Sequence, residues 1–281
     1  MKRLAVIGYP VGHSRSPAMQ TAALEALGLA PEWSYEAIEV APEGFEEKVR
    51  ELADSGEFVG ANVTIPHKRA AIALAVGKSA AATAIGAANT LTFSEGRIEA
   101  DNTDASGLLA SLPKPSRARR ALVLGAGGAA RAAIWALARG PLEVNSDPDP
   151  ERDDREPLEV DVWNRTAAKA EAIAAEIGGL PVESPLQRAY GLIVNTTAVG
   201  LKGEDPFEHL PLEADKFTSE QVVVDMVYGD GQGPLLEAAT RCGATVIDGL
   251  EILVQQGALS LRIWTGEVPD LDVMRAAARG E

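Results

Sequence analysis

The sequence predicts an α/β protein of two domains, the second of which contains a parallel sheet. Short apolar runs alternate with helical stretches along the 281 residues, a pattern typical of layered strands and helices. Near the middle of the chain, a glycine-rich turn joins the apolar run 121–124 to a helical stretch that starts at Ala130. The polar, proline-bearing segment 112–120 comes just before it, and we place the junction between the domains there.

The glycine-rich turn indicates a dinucleotide site, because Gly125, Gly127 and Ala130 fit the pattern G-x-G-x-x-G/A. The first glycine allows a sharp turn, the second lets the backbone approach a pyrophosphate, and the small alanine lets helix and strand pack closely. The helix N-terminus offers free N–H groups to the anion. An ordinary turn without a ligand would give a similar pattern. We favour the dinucleotide site, and with it a Rossmann-type, doubly wound parallel sheet.

Composition and charge argue against several classes of partner. The formal net charge of −15 and the isoelectric point near 4.7 disfavour nucleic acid and anionic membranes. The chain has no apolar run of 18 residues, and its first residues resemble a strand more than a signal peptide, so we expect no membrane segment. The single cysteine, Cys242, fits a reducing compartment, and we expect a cytoplasmic protein. The three histidines lie far apart in the sequence, so we expect no metal site.

Two serines mark the first candidate site. Ser14 and Ser16 flank Arg15, and Pro17 follows them at the predicted start of a helix. Two hydroxyls and a guanidinium at a helix N-terminus suit a carboxylate. Plain capping, with Ser16 as the N-cap and Ser14 in a turn, explains the same residues equally well.

Lys68 lies just after a predicted strand that ends at Pro66, at the edge where ligands bind in α/β folds. Asn62 and Thr64 share one side of that strand. Asn89 belongs to a second polar strand entry, and Asp104 ends a polar cluster before a predicted helix. The alternatives are a solvated surface lysine and an aspartate that only caps a helix.

The second strand after the glycine turn decides between NAD and NADP. In NAD enzymes an acidic residue about 20 residues past the glycines binds the ribose, and Asp147 lies near that distance. We instead interpret the acidic segment 140–159 as an insertion and place the second strand at 160–163. The ribose position then carries Asn164 and Arg165, with Lys169 one turn further on. A guanidinium suits a 2′-phosphate, so we favour NADP.

The last third of the chain supplies two more predicted strands, 192–195 and 222–225. Both end where a nicotinamide would lie in a doubly wound sheet. The closing helix begins at 248 and carries Gln255 and Gln256. On periodicity alone these two glutamines would be polar-face residues without a function.

Taken together, the chain resembles the shikimate dehydrogenases over nearly its whole length. The motifs that carry the resemblance are, in chain order, Ser14-Arg-Ser16, Asn62-Val-Thr-Ile-Pro-His-Lys68, Ala88-Asn-Thr90, Asp101-Asn-Thr-Asp104, Gly125-Ala-Gly-Gly-Ala-Ala-Arg131, Asn164-Arg-Thr166, Asn195-Thr-Thr197, Asp225-Met-Val-Tyr228 and Asp248-Gly-Leu250 with Gln256-Gly257. The resemblance implies two α/β domains with the active site in the cleft between them. Residues 1–104 and 248–281 would form the substrate-binding and catalytic domain, and 105–247 the NADP-binding Rossmann domain.

The resemblance also implies an activity, the reversible NADPH-linked reduction of 3-dehydroshikimate to shikimate in aromatic amino-acid biosynthesis. Lys68 and Asp104 would form the catalytic pair, and Ser14 and Ser16 would hold the substrate carboxylate. The remaining substrate contacts would be Asn62, Thr64, Asn89, Tyr228 and Gln256, together with the catalytic pair itself. The cofactor contacts would be Gly125, Ala126, Gly127, Gly128, Ala129, Asn164, Arg165, Thr166, Lys169, Thr196, Met226 and Gly249.

Two other functions remain as alternatives. A quinate/shikimate dehydrogenase would use NAD or NADP and would need room near the paired serines for an extra hydroxyl. A non-catalytic, dinucleotide-sensing protein would not need both Lys68 and Asp104. We expect a small-molecule substrate and a monomer or homodimer.

Overall fold

The computed structural model describes residues 1–113, 118–139, 156–229 and 231–281. The chain divides into two compact units: unit 1 contains Met1–Gly107 and Leu253–Glu281, and unit 2 contains Leu108–Ile252. The sequence places these divisions a few residues earlier, at 104/105 and 247/248. The difference arises because a helix runs across each boundary. Asp147 and residues 140–155 of the predicted acidic insertion lie outside the described residues.

The helices and strands alternate along the described chain. In chain order they are β1 (Lys2–Gly8), α1 (Ser16–Ala26), β2 (Trp33–Glu39), α2 (Phe45–Asp54), β3 (Phe58–Val63), α3 (Lys68–Leu74), β4 (Gly77–Lys78), α4 (Ala80–Ile85), β5 (Thr90–Ser94), β6 (Arg97–Asp101), α5 (Asp104–Ser111), β7 (Arg120–Leu124), α6 (Gly128–Arg139), β8 (Glu159–Trp163), α7 (Ala167–Ile177), β9 (Leu180–Pro181), β10 (Leu192–Asn195), α8 (Pro206–His209), β11 (Val222–Asp225), α9 (Pro234–Arg241), β12 (Thr245–Ile247), α10 (Gly249–Thr265) and α11 (Leu271–Arg279). None of these helices is both long and apolar enough to cross a membrane.

Unit 1 contains a mixed sheet in the order β2-β1-β3-β5-β6-β4. β1 pairs in parallel with β2 and β3, whereas β5 runs antiparallel to β3 and β6. Apolar side chains from β1, α2, β3 and β5 form its core, among them Ile7, Phe45, Val49, Phe58 and Leu91. The ends of β3 and β6 are therefore fixed by a packed core, and the two helices that follow them, α3 and α5, begin at Lys68 and Asp104.

Unit 2 contains a parallel sheet in the order β12-β11-β10-β7-β8-β9. When the six strands are numbered from β7 and read from the β9 edge, their order is 3-2-1-4-5-6. This is the strand order of a Rossmann sheet, so the predicted Rossmann-type sheet is confirmed. The strand order reverses between β7 and β10, and ligands of such sheets bind at the carboxyl ends of the strands beside that reversal. The glycine turn follows β7 and therefore lies at this point.

Several predicted element boundaries are wrong by a few residues, among them the start of α6, which is Gly128 and not Ala130. β3 ends at Val63, not at Pro66, because pairing stops there and the backbone N–H of His67 donates to the Thr64 carbonyl in a turn. Helix α1 begins at Ser16, so Arg15 and not Ser16 is the N-cap residue. The hydroxyl that serves this first turn is that of Ser14, which accepts from the Ser16 N–H at 3.3 Å.

Candidate functional site

A largely buried ion pair in unit 1 joins the first residues of α3 and α5. The Nζ of Lys68 is 2.6 Å from Oδ2 of Asp104, and the two side chains are only 13% and 10% exposed. Each residue is the first of its helix. A carboxylate is favoured in the first turn of a helix, whereas an ammonium is disfavoured there. The pairing with Asp104 therefore compensates for the position of Lys68, and the structure brings both members of the predicted catalytic pair together.

Two amides extend this pair. The Nδ2 of Asn89 lies 2.9 Å from Oδ1 of Asp104 and 3.0 Å from Oε1 of Gln256. The Oδ1 of Asn89 accepts from the backbone N–H of Thr103 at 2.7 Å, which fixes the orientation of the amide. Gln256 is buried on α10 although helical periodicity alone gave it no role. Four predicted site residues thus form one hydrogen-bonded cluster.

Asn62 lies in a buried layer next to this cluster. Its Oδ1 accepts from the Tyr35 hydroxyl at 2.8 Å, and its Nδ2 donates to Ser260 Oγ at 2.9 Å. Sequence reasoning missed Tyr35 and Ser260, as well as the roles of Thr90 and Thr103 in the same layer. A signal was available for Ser260, which lies four residues after Gln256 and so on the same face of α10. Because Asn62 already binds protein groups, its contact with substrate stays a prediction.

The serine pair lies at the start of α1, and Thr64 lies in the turn between β3 and α3. Ser16 is buried and Ser14 is half-buried. Thr64 packs against β1 so closely that a Cβ at Gly8 would lie 2.4 Å from its Cγ2. Across the described residues, no hydrogen bond joins Ser14, Ser16 or Thr64 to the Lys68–Asp104 pair. Their predicted contacts with substrate are therefore untested by this geometry.

The glycine turn of unit 2 shows two different requirements for glycine. Gly125 has a φ of 119°, and a Cβ there would lie 2.5 Å from Oγ1 of Thr196. Its own chain thus excludes a side chain at Gly125. The Thr196 hydroxyl donates to the Leu124 carbonyl at 2.7 Å, which closes the end of β7.

Gly127 behaves differently from Gly125. It is exposed, its φ is not positive, and a Cβ there would have no described atom within 4 Å. Packing within the chain thus gives no reason for glycine at this position, whereas the close approach of a ligand does. Gly128 begins the twelve-residue helix α6, so the N–H groups of Gly128 and Ala129 belong to its free first turn. This arrangement fits a pyrophosphate.

A pocket of about 480 Å³ opens beside the end of β8. The exposed cations Arg165 and Lys169 line it, and Trp163, Val199 and Leu210 give it apolar walls. Asn164 donates to the Thr166 carbonyl at 3.0 Å, which holds the turn before α7. A cationic edge next to apolar walls suits a phosphorylated nucleoside.

The same pocket contains one acidic side chain, Glu204. Its carboxylate accepts from the backbone N–H groups of Gly200 and Lys202, at 3.1 and 3.0 Å. Backbone N–H groups, first its own and then that of Lys202, hold the pKa of Glu204 below its usual range. This carboxylate is therefore engaged by the backbone of its own loop.

The end of β11 carries a buried carboxyl group. Oδ1 of Asp225 accepts from Asn195 Nδ2 at 2.9 Å and from the Val227 N–H at 3.1 Å. Burial raises the pKa of Asp225 to about 6, although these two donors lower it.

Close by, a Cβ at Gly249 would lie 2.6 Å from the carbonyl oxygen of Met226. Met226 and Gly249 are thus brought together, and their contact also gives a packing reason for the glycine. Tyr228 lines a second pocket of about 280 Å³ at this edge.

Comparison with known proteins identifies the family. Residues 6–91 match the shikimate dehydrogenase substrate binding domain, and residues 249–279 match the shikimate 5′-dehydrogenase C-terminal domain. The chain is 43% identical to shikimate dehydrogenase (NADP(+)) of Thermus thermophilus, across 99% of this chain and 98% of that protein. It is 42% identical to shikimate dehydrogenase (NADP(+)) of Methylobacterium radiotolerans, across 95% and 92% of the two chains.

A solved structure gives the same result. The crystal structure of shikimate 5-dehydrogenase from Thermus thermophilus, in complex with NADP(H) and shikimate, matches with a TM-score of 0.84 and 42% identity. The match covers 100% of this chain and 99% of that chain. The resemblance that the sequence motifs indicated is therefore confirmed, and the chain belongs to the shikimate dehydrogenase family.

Proposed function

We propose that this protein catalyses the reversible NADPH-linked reduction of 3-dehydroshikimate to shikimate. The observation that carries the proposal is the largely buried pair of Lys68 and Asp104, in which Asp104 accepts from Asn89 and Asn89 also donates to Gln256. Bound NADPH supplies the hydride. Reduction of a ketone produces an alkoxide, which needs a proton and a nearby positive charge, and the Lys68 ammonium provides both. Asp104 orients that ammonium.

The amides of this cluster suit a polyhydroxylated ring. Asn89 and Gln256 both donate and accept, so each can bind a hydroxyl while keeping part of its present hydrogen bonding. Thr64 and Asp104 bind further hydroxyls, and Ser14 and Ser16 hold the carboxylate. Tyr228 and Asn62 complete the proposed substrate contacts. Unit 1 is accordingly the substrate-binding domain.

Unit 2 is the proposed NADP-binding domain. The pyrophosphate lies against Gly125 to Ala129, where Gly127 leaves the backbone open to a ligand. Arg165 and Lys169 bind the 2′-phosphate, and Asn164 and Thr166 shape the turn that presents them. Thr196, Met226 and Gly249 complete the cofactor contacts. A 2′-phosphate is attracted by these two cations, whereas the two hydroxyls of NAD gain little from them.

We place the enzyme in the cytoplasm, as a monomer or homodimer. The single cysteine supports this placement, because a chain with one cysteine forms no internal disulfide and fits a reducing compartment.

The test is a spectrophotometric assay at 340 nm with shikimate and quinate, each paired with NADP and with NAD. We expect efficient turnover only with shikimate and NADP. Turnover of quinate at a comparable rate, or equal use of NAD, would replace the proposal by a broader quinate/shikimate dehydrogenase. Binding of NADPH without turnover of either acid would contradict an enzymatic function.

A further inference from the structure

A second set of polar side chains lies behind the proposed active site in unit 1, and the proposed function leaves it unexplained. Ser260 is its centre and is 0% exposed. Its Oγ lies 2.9 Å from Asn62 Nδ2, 2.8 Å from Thr90 Oγ1 and 3.1 Å from Thr103 Oγ1. The carbonyl oxygen of Gln256, one turn earlier on α10, lies 3.0 Å away. The Ser260 hydroxyl thus connects α10 to β3, to β5 and to the loop before α5.

The partners at both ends of this set fix the orientation of its two amides. Tyr35 has a hydroxyl 2.8 Å from Oδ1 of Asn62, so that oxygen is the acceptor and the Nδ2 of Asn62 points to Ser260. At the other end, the Thr103 N–H occupies Oδ1 of Asn89. Thr90 donates its hydroxyl proton to this same oxygen, at 3.1 Å.

Ser260 joins the two ends. It accepts from Asn62 at 2.9 Å and donates to the Gln256 carbonyl at 3.0 Å, and its Oγ lies 2.8 Å from Thr90 Oγ1. A continuous hydrogen-bonded chain therefore leads to the Asn89 amide, which donates to Asp104. Its members, in order, are Tyr35, Asn62, Ser260, Thr90, Asn89 and Asp104. In a buried chain of this kind each hydrogen bond polarises the next.

We propose that Ser260 is a positioning residue for the reaction. Through Thr90, and alongside the Thr103 N–H, it holds the Asn89 amide in the orientation that donates to Asp104, and so it helps to keep Asp104 aligned with Lys68. This inference rests on the proposed function. A role in helix α10 alone does not explain the serine, because alanine is the better helix former and the hydroxyl has three partners outside its own helix.

The first test compares Ser260→Ala with Ser106→Ala. Ser106, on α5, is a matched control because its Oγ is buried and has no hydrogen-bond partner among the described residues. We expect Ser260→Ala to lower kcat for shikimate oxidation about tenfold, the order expected when one neutral hydrogen bond that orients a catalytic group is lost. The KM for NADP should stay within about twofold, because its proposed contacts belong to unit 2. Ser106→Ala should match the wild type.

Ser260→Cys separates hydrogen bonding from packing. A thiol fills similar space but donates and accepts weakly, so we expect kcat to fall about as far as in the alanine variant. Full activity of Ser260→Cys, or of Ser260→Ala, would overturn the proposal while leaving the proposed function intact. Absence of turnover in the wild type would instead overturn the proposed function. Thermal melting confirms that each variant is folded at the assay temperature.

A double-variant cycle tests the chain itself. Tyr35→Phe removes the hydroxyl at the far end of the chain, so we expect a smaller loss of kcat than for Ser260→Ala. If both residues act through one chain, the double variant should lose little more than Ser260→Ala alone. Fully multiplicative losses would mean that the two residues act independently, and the chain would be rejected.

Discussion

The Nζ of Lys68 lies 2.6 Å from Oδ2 of Asp104, and Oδ1 of the same carboxylate faces Asn89 at 2.9 Å. Both oxygens of Asp104 are thus engaged by side chains that the proposed reaction uses. Withdrawing a lysine and an aspartate from water is costly even when they pair. Such a pair contributes little to net stability compared with apolar packing, so its presence points to chemistry.

Arg165→Ala is expected to separate the two cofactors. The guanidinium lines the pocket that we assign to the 2′-phosphate, so its loss should raise the KM for NADPH at least about tenfold, the value of one charge-assisted contact. The KM for NADH should change less than about twofold. Steady-state kinetics with both cofactors checks this. Arg241 is an exposed arginine of unit 2 outside the pocket, and Arg241→Ala should change neither Michaelis constant. If Arg165→Ala raised the KM for NADPH and for NADH equally, the 2′-phosphate would bind elsewhere.

Gly127→Ala is expected to lose cofactor affinity, whereas Gly125→Ala is expected to lose stability. A Cβ at Gly127 meets no described atom within 4 Å, so this variant should keep its free energy of unfolding within about 0.5 kcal/mol and lose cofactor affinity at least about tenfold. Gly125→Ala should lose stability by more than about 1 kcal/mol, because its φ is 119° and Thr196 occupies the space. Urea unfolding and NADPH titration measure both quantities. Unchanged cofactor binding by Gly127→Ala would reject the glycine turn as the pyrophosphate site.

Asp225 is expected to make stability fall as pH rises. Its pKa is about 6 in the folded protein and about 3.9 when unfolded. Between these values the folded state keeps a proton that the unfolded state has released, so the free energy of unfolding decreases from about pH 4 to pH 6. The cost at pH 7 is on the order of 3 kcal/mol. Since one oxygen accepts both of its hydrogen bonds, Asp225→Asn can keep them.

Urea unfolding at pH 5 and pH 7 measures this effect. Asp225→Asn should be more stable than the wild type at pH 7 by at least about 1 kcal/mol, and the difference should shrink at pH 5. The exposed Asp215→Asn serves as the control and should follow the wild type at both values. A difference that is the same at pH 5 and pH 7 would show that Asp225 is not the titrating group.

Local signals explain why the sequence predicted the sheet of unit 2 correctly. The glycine turn after β7 and the apolar runs of β7, β8, β10 and β11 need only neighbouring residues to be recognised. The end of β3 depends instead on where β1 and β5 stop pairing with it, which no local pattern records.

The residues of the candidate site likewise divide into those that local motifs predict and those that only packing reveals. Lys68, Asn89 and Asp104 belong to dense motifs and were predicted. Gln255 and Gln256 are adjacent glutamines on one helix, and only packing distinguishes the half-buried first from the buried second. For Ser260 the one local signal was the helical face that it shares with Gln256, and its partners became apparent only from the packing.

Lys68→Ala, compared with Arg69→Ala, tests the central claim most directly. Arg69 is exposed and follows Lys68 on α3, so its variant controls for a change at this turn. The measurements are kcat for shikimate oxidation with NADP and the dissociation constant of shikimate by calorimetry. We expect Lys68→Ala to lower kcat at least about 100-fold, the usual loss for a positioned proton donor, with a much smaller change in shikimate binding. Arg69→Ala should be unaffected. Turnover of Lys68→Ala within a few-fold of the wild type would show that Lys68 does not transfer the proton.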